Sequence, residues 1–176
     1  MNLWLNIVGF QLVWTVTVAG AGRGLWWLGM PVLLVFAAWQ CRVSKVPVAD
    51  LKLVVIAAVL GFAIDSVFAS MHWLQYASPR PWPLLAPVWI VVLWMGFALT
   101  LNHSMHFLRG RLVLAVLFGA VGGPVAYIAA DRLWGAVRFD TPGWPALLAL
   151  GLAWAVVTPV LVASAMRLAR DEEAVA

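Results

Sequence analysis

Residues Leu53 to Tyr76 read LVVIAAVLGFAIDSVFASMHWLQY, an apolar run broken near its middle by a single carboxylate, Asp65. About 20 largely apolar residues suffice to cross the roughly 30 Å hydrocarbon core of a bilayer, so this stretch predicts a membrane-spanning helix. Asp65 makes it more than an anchor. An ionisable side chain at that depth costs about 2.5 to 3.5 kcal/mol on insertion scales, and it is kept only where something offsets the cost.

Five further runs resemble the first. The spans predicted are 3–21, 25–41, 53–76, 84–108, 112–130 and 145–166, separated by short connections rich in Gly, Pro, Arg and Lys. The chain has 176 residues, 65% of them hydrophobic and 10% charged, against roughly 25% charged in a soluble domain. The expected fold is therefore all-α: a polytopic bundle of about six transmembrane helices with short loops, forming one integral membrane domain over 1–176. Ala19-Gly20-Ala21 resembles a signal-peptide cleavage site, but the run before it has no basic head and is longer than a signal core. It is read as a retained first helix.

The net charge of +4 comes from eleven Lys and Arg set between the apolar runs. They form no stripe that would suit nucleic acid. Alternating the connections places Arg42, Lys45, Lys52, Arg109, Arg111, Arg167 and Arg170 on one side and Arg23, Arg80, Arg132 and Arg138 on the other, seven against four. By the positive-inside rule both termini are expected in the cytoplasm, with 167–176 as a short solvated tail. Among the twelve tryptophans, Trp26, Trp27, Trp73, Trp82, Trp134 and Trp144 fall near the opposite ends as an interfacial belt. Trp14, Trp94 and Trp154 lie mid-span, as packing residues or as the wall of a cavity.

Several polar groups share the apolar segments. Asn6 and Gln11 lie in the first span, Ser66 follows Asp65, and Asn102-His103-Ser104 and His106 close the fourth. Buried amides hydrogen-bond across helices, and by helical rise Asn6, Gln11, Asn102 and His103 sit in the cytoplasmic half with Asp65 near the midplane. On a continuing helix Asn102 and His103 would point about 100° apart. Gly119, Gly122, Gly123 and Pro124 predict a close helix crossing or kink in the fifth span, with Tyr127 one turn on. His72 lies too far along the membrane normal from His103 to share a metal with it, and the single Cys41 offers no motif. No metal and no cofactor is expected.

With Trp14, these polar and small-residue motifs give the chain a resemblance, over nearly its whole length, to a family of small bacterial inner-membrane proteins known as domain of unknown function two-eight-seven-eight. The resemblance rests on the order and spacing of Asn6, Gln11, Trp14, the Ile-Asp-Ser around Asp65, Asn102-His103-Ser104 and Gly122-Gly123-Pro124. It implies a multi-pass protein of the bacterial inner membrane and no particular reaction.

Two functional readings follow. In the first, an interior pocket with Asn6, Gln11, Ser66, Asn102, Ser104 and Tyr127 as ligand-binding candidates holds a membrane lipid, a hydrophobic metabolite or a membrane-protein partner. In the second, Asp65 and His103 form the acid/base pair of a lipid-modifying enzyme. A small transporter is a third and less favoured reading, since no convincing repeat divides the chain.

Overall fold

The structure is a computed structural model describing residues 3–139 and 143–175. It contains six α-helices: α1 Leu3–Gly22, α2 Gly29–Val43, α3 Pro47–Ser70, α4 Val88–Leu101, α5 Leu112–Trp134 and α6 Trp144–Glu173. Two short strands, β1 Leu74–Tyr76 and β2 Val137–Phe139, pair antiparallel with Gln75 opposite Arg138. Helices α1, α3, α5 and α6 are long and apolar enough to cross a membrane, whereas α2 and α4 are shorter apolar helices of 15 and 14 residues.

Helix α4 is the centre of the bundle, packing against α1, α2 and α3. Helix α3 in turn packs on α6, and α6 on α5. The interior is aromatic and aliphatic, with Trp89, Leu53, Leu99 and Leu150 fully enclosed. The outside is also apolar: Val35 and Val113 are each 72% exposed and Val156 is 66% exposed. An outer surface of this kind suits a hydrocarbon solvent, where the helices hold their own backbone hydrogen bonds.

The helix ends differ from those expected, each for a local reason. Helix α3 begins six residues earlier than predicted because Pro47 sits at its first turn, where its missing N–H is not needed. It ends at Ser70, as His72 adopts φ 58° and the chain turns into β1. Helix α4 is shorter than predicted at both ends. Pro87 caps it in an extended conformation, and beyond Leu101 the chain turns before a single 3-10 turn at His106–Leu108. Helix α5 continues to Trp134, where Gly135 takes φ 57° and the N–H groups of Gly135 and Ala136 return to the carbonyls of Asp131 and Ala130. That conformation suits glycine.

The expected solvated tail is largely exposed, but it is helical and docks at one point. Helix α6 runs on to Glu173, and the Glu172 carboxylate accepts the free N–H groups of Val48 (3.1 Å) and Ala49 (2.6 Å) at the start of α3. An acid there complements the positive end of the helix dipole. Ala169 and Leu168 pack beneath it on Val46 and Ala49.

The connections α1–α2, α3–α4 and α5–α6 meet on one side of the bundle. The Ser78 hydroxyl donates to Ala21 O at 3.0 Å, β1 pairs with β2, and the Arg23 guanidinium lies 5.2 Å from the centre of the Trp134 ring. These three connections therefore share one end of the bundle.

Candidate functional site

Two polar clusters lie inside the bundle, one at each end of α3. The first is built on Asp65, which is fully buried. Its Oδ1 accepts the hydroxyls of Tyr76 (2.6 Å) and Tyr127 (2.5 Å), and its Oδ2 accepts the indole N–H of Trp94 (2.6 Å). One residue each from β1, α4 and α5 thus converges on a carboxylate from α3. Both oxygens are engaged, as buried polar groups require.

Glycines bring these elements close enough. A Cβ at Gly61, one turn before Asp65, would stand 2.1 Å from the Trp94 ring, and one at Gly123 would stand 2.3 Å from the Trp154 ring. Between those two glycines the indoles of Trp94 and Trp154 stack with centroids 4.3 Å apart and planes 14° apart. A Cβ at Gly119 would come within 2.1 Å of Trp154 O. Gly119 and Gly123 therefore form the close crossing of α5 on α6. Gly122 does not, since a Cβ there meets only Phe118, at 3.9 Å. Helix α5 runs through Pro124 without a break in its assigned span.

Beside this stack is a cavity of about 360 Å³ between α1, α4 and α5. Its wall is aromatic, including Trp14, Trp89, Trp94, Phe97, Tyr127 and Trp154, and the α5 side is a smooth face of Gly119, Gly122, Gly123 and Ala126. Pockets of a few hundred cubic ångströms with mostly apolar walls and few polar groups are typical of small-molecule sites. Gln11 and Val125 line it and are also exposed, so it reaches the outer apolar surface between α1 and α5. The mid-span tryptophans Trp14, Trp94 and Trp154 are thus wall residues as well as packing residues.

The second cluster is centred on Asp50, also fully buried. His103 Nε2 lies 2.7 Å from Asp50 Oδ2, and the Asn102 side chain donates to Oδ1 at 2.8 Å. Arg109 donates to Asn102 Oδ1, so its charge is relayed to the carboxylate. Asn6 donates to Gln40 Oε1 (2.7 Å) and Leu99 O (3.0 Å), and its own Oδ1 accepts the Ser104 N–H at 3.3 Å. Asn102 and His103 share one target because α4 has already ended at Leu101; the 100° separation expected on a helix does not apply.

Asp65 and His103 therefore belong to different sites. Asp50 precedes Asp65 by fifteen positions on the same helix, about 22 Å at 1.5 Å per residue, and His103 is on Asp50. An acid and a base acting on one atom need to be within about 3 Å of it, so this pair cannot serve as one. Of the other candidates, Tyr127 joins Asp65, Gln11 joins the cavity, and Asn6, Asn102 and Ser104 join the Asp50 cluster. Ser66 accepts the Ala86 N–H at 3.0 Å and fixes the approach to α4. His106 Nδ1 lies 2.7 Å from His103 O, and His72 is exposed in the turn after α3.

Sequence reading missed Asp50, Gln40, Tyr76 and the hydrogen-bonding role of Trp94. For Asp50 a signal was present: proline followed three positions later by an acid marks the first turn of a helix. Tyr76 reaches Asp65 only through the β1 turn, which local pattern does not announce.

Residues 3–160 match the model of the family described as protein of unknown function (DUF2878), and the chain belongs to that family. No curated protein and no solved structure matches the chain.

Proposed function

We propose that this family member is a multi-pass protein of the bacterial inner membrane that binds a hydrophobic molecule taken from the bilayer. The single observation that carries the reading is the aromatic cavity of about 360 Å³ reaching the lipid-facing surface between α1 and α5. Its mouth faces hydrocarbon, so an apolar occupant enters without crossing water. Asp65 supports the reading as a positioning residue, holding Trp94 and Tyr127 in the cavity wall while having no exposure of its own. Acid/base catalysis is the weaker reading, since both buried carboxylates are committed to partners.

The arrangement of basic residues supports both termini in the cytoplasm, and a reporter fused after Arg170 would read that orientation directly. The binding role is tested by extracting protein purified in a maltoside detergent with organic solvent and identifying co-purified molecules by mass spectrometry. Wild type is expected to carry a hydrophobic compound that Gly122→Leu lacks, because a side chain at Gly122 has open space to grow into. Identical extracts from two equally folded proteins would count against the proposal.

A further inference from the structure

From Gln11 we infer the chemistry of the occupant: an uncharged, lipid-soluble molecule carrying a carbonyl or hydroxyl that sits at the depth of the bilayer centre. The inference rests on the binding role proposed above. Gln11 is on the cavity wall, and among the described residues its amide has no hydrogen-bond partner. It lies about 12 Å along α1 from Leu3 and about 17 Å from Gly22 by helical rise, so it is close to the middle of that span. An amide in hydrocarbon without a partner is strongly disfavoured. Asn6, on the same helix, shows the usual solution, with every contact made inside the protein.

The rest of the wall narrows the class. Among the described residues no Lys, Arg, Asp or Glu lines the cavity, so none of them balances an ionic group there. The Tyr127 hydroxyl already donates to Asp65. That leaves the Gln11 amide, which can donate to a carbonyl and both donate to and accept from a hydroxyl, and the buried Trp154 indole N–H, which has no partner among the described residues and can donate to either. Depth excludes a phospholipid held by its headgroup, because phosphate and ester groups stay about 15 Å from the centre of a 30 Å core. A neutral oxygen on an otherwise apolar molecule meets all three conditions.

Three probes of matched skeleton test this in maltoside micelles, with bound mass read by native mass spectrometry: farnesol, the corresponding hydrocarbon without the hydroxyl, and farnesyl phosphate. Wild type is expected to bind farnesol about three- to tenfold tighter than the hydrocarbon, the range of one neutral hydrogen bond, and to bind the phosphate more weakly than the alcohol. Gln11→Leu should bind the hydrocarbon at least as well as wild type and lose the preference for the alcohol. Gln11 is exposed and unpartnered, so that variant should fold normally. Equal binding of alcohol and hydrocarbon by wild type, a preference that survives Gln11→Leu, or tightest binding of the phosphate would overturn the inference while leaving the cavity's role intact. If Gly122→Leu weakened no probe at all, the binding role itself would fall.

Discussion

Asp65→Leu is expected to lower stability in detergent by about 3 kcal/mol or more, because it leaves three buried donors without an acceptor at about 1 to 3 kcal/mol each. The donors are the hydroxyls of Tyr76 and Tyr127 and the indole N–H of Trp94. Asp65→Asn should cost less, about 1 to 2 kcal/mol, since one oxygen still accepts while the new NH₂ faces groups that also donate. Thermal unfolding of the two variants beside wild type measures the order. An acid retained only for chemistry predicts the opposite, as its replacement by leucine would relieve an unfavourable burial and raise the melting temperature. A stabilised Asp65→Leu protein would therefore remove Asp65 from its place as the hub of α3, α4, α5 and β1.

Gly123→Leu should be the most damaging change on α5, costing about 1 to 3 kcal/mol, the range for overpacked sites. Its first added atom would stand 2.3 Å from the Trp154 ring, and that ring cannot retreat because Trp94 is stacked behind it and Gly61 behind Trp94. Gly122→Leu is the matched control, adjacent in sequence but open in space, and it should leave the melting temperature within about 0.5 kcal/mol of wild type, as substitutions away from packed features do. Equal melting temperatures for the two variants would mean that α5 does not press on α6 through Gly123.

The two experiments also mark what the sequence makes legible. An all-helical bundle with helices apolar enough to cross a membrane is plain from six apolar runs punctuated by Arg, Lys, Gly and Pro, and Asp65 stands out because nothing nearby in sequence could balance it. Helix ends were less so. Met71 to Tyr76 still carries Met, Trp, Leu and Tyr and reads as a continuation of the span, yet the chain leaves α3 there and Leu74 to Tyr76 pair with β2 across sixty residues of chain. The short α4 was hidden in the same way, because its continuation through Asn102 is enclosed by neighbouring helices that satisfy it. Partner choice was the least legible. Asp50 lay among the charges of a connection, and its pairing with His103 exists only once α3 begins at Pro47 and α4 stops at Leu101.

The glycines fall between these cases. The spacing of Gly119 and Gly123 predicted a close crossing, and the structure supplies Trp154 as the surface crossed. What spacing could not say is that Gly122 lies outside the contact and opens on the cavity.

The central claim, that a hydrophobic molecule occupies a bilayer-facing cavity, is tested most directly by a crystal structure of the wild-type protein grown from a lipidic mesophase. The account predicts elongated non-protein density between α1 and α5, touching Trp14 and Gly122, with a polar atom at Gln11. Helix α1 packed directly on α5, with the cavity closed and Gln11 bonded to a protein side chain, would contradict it.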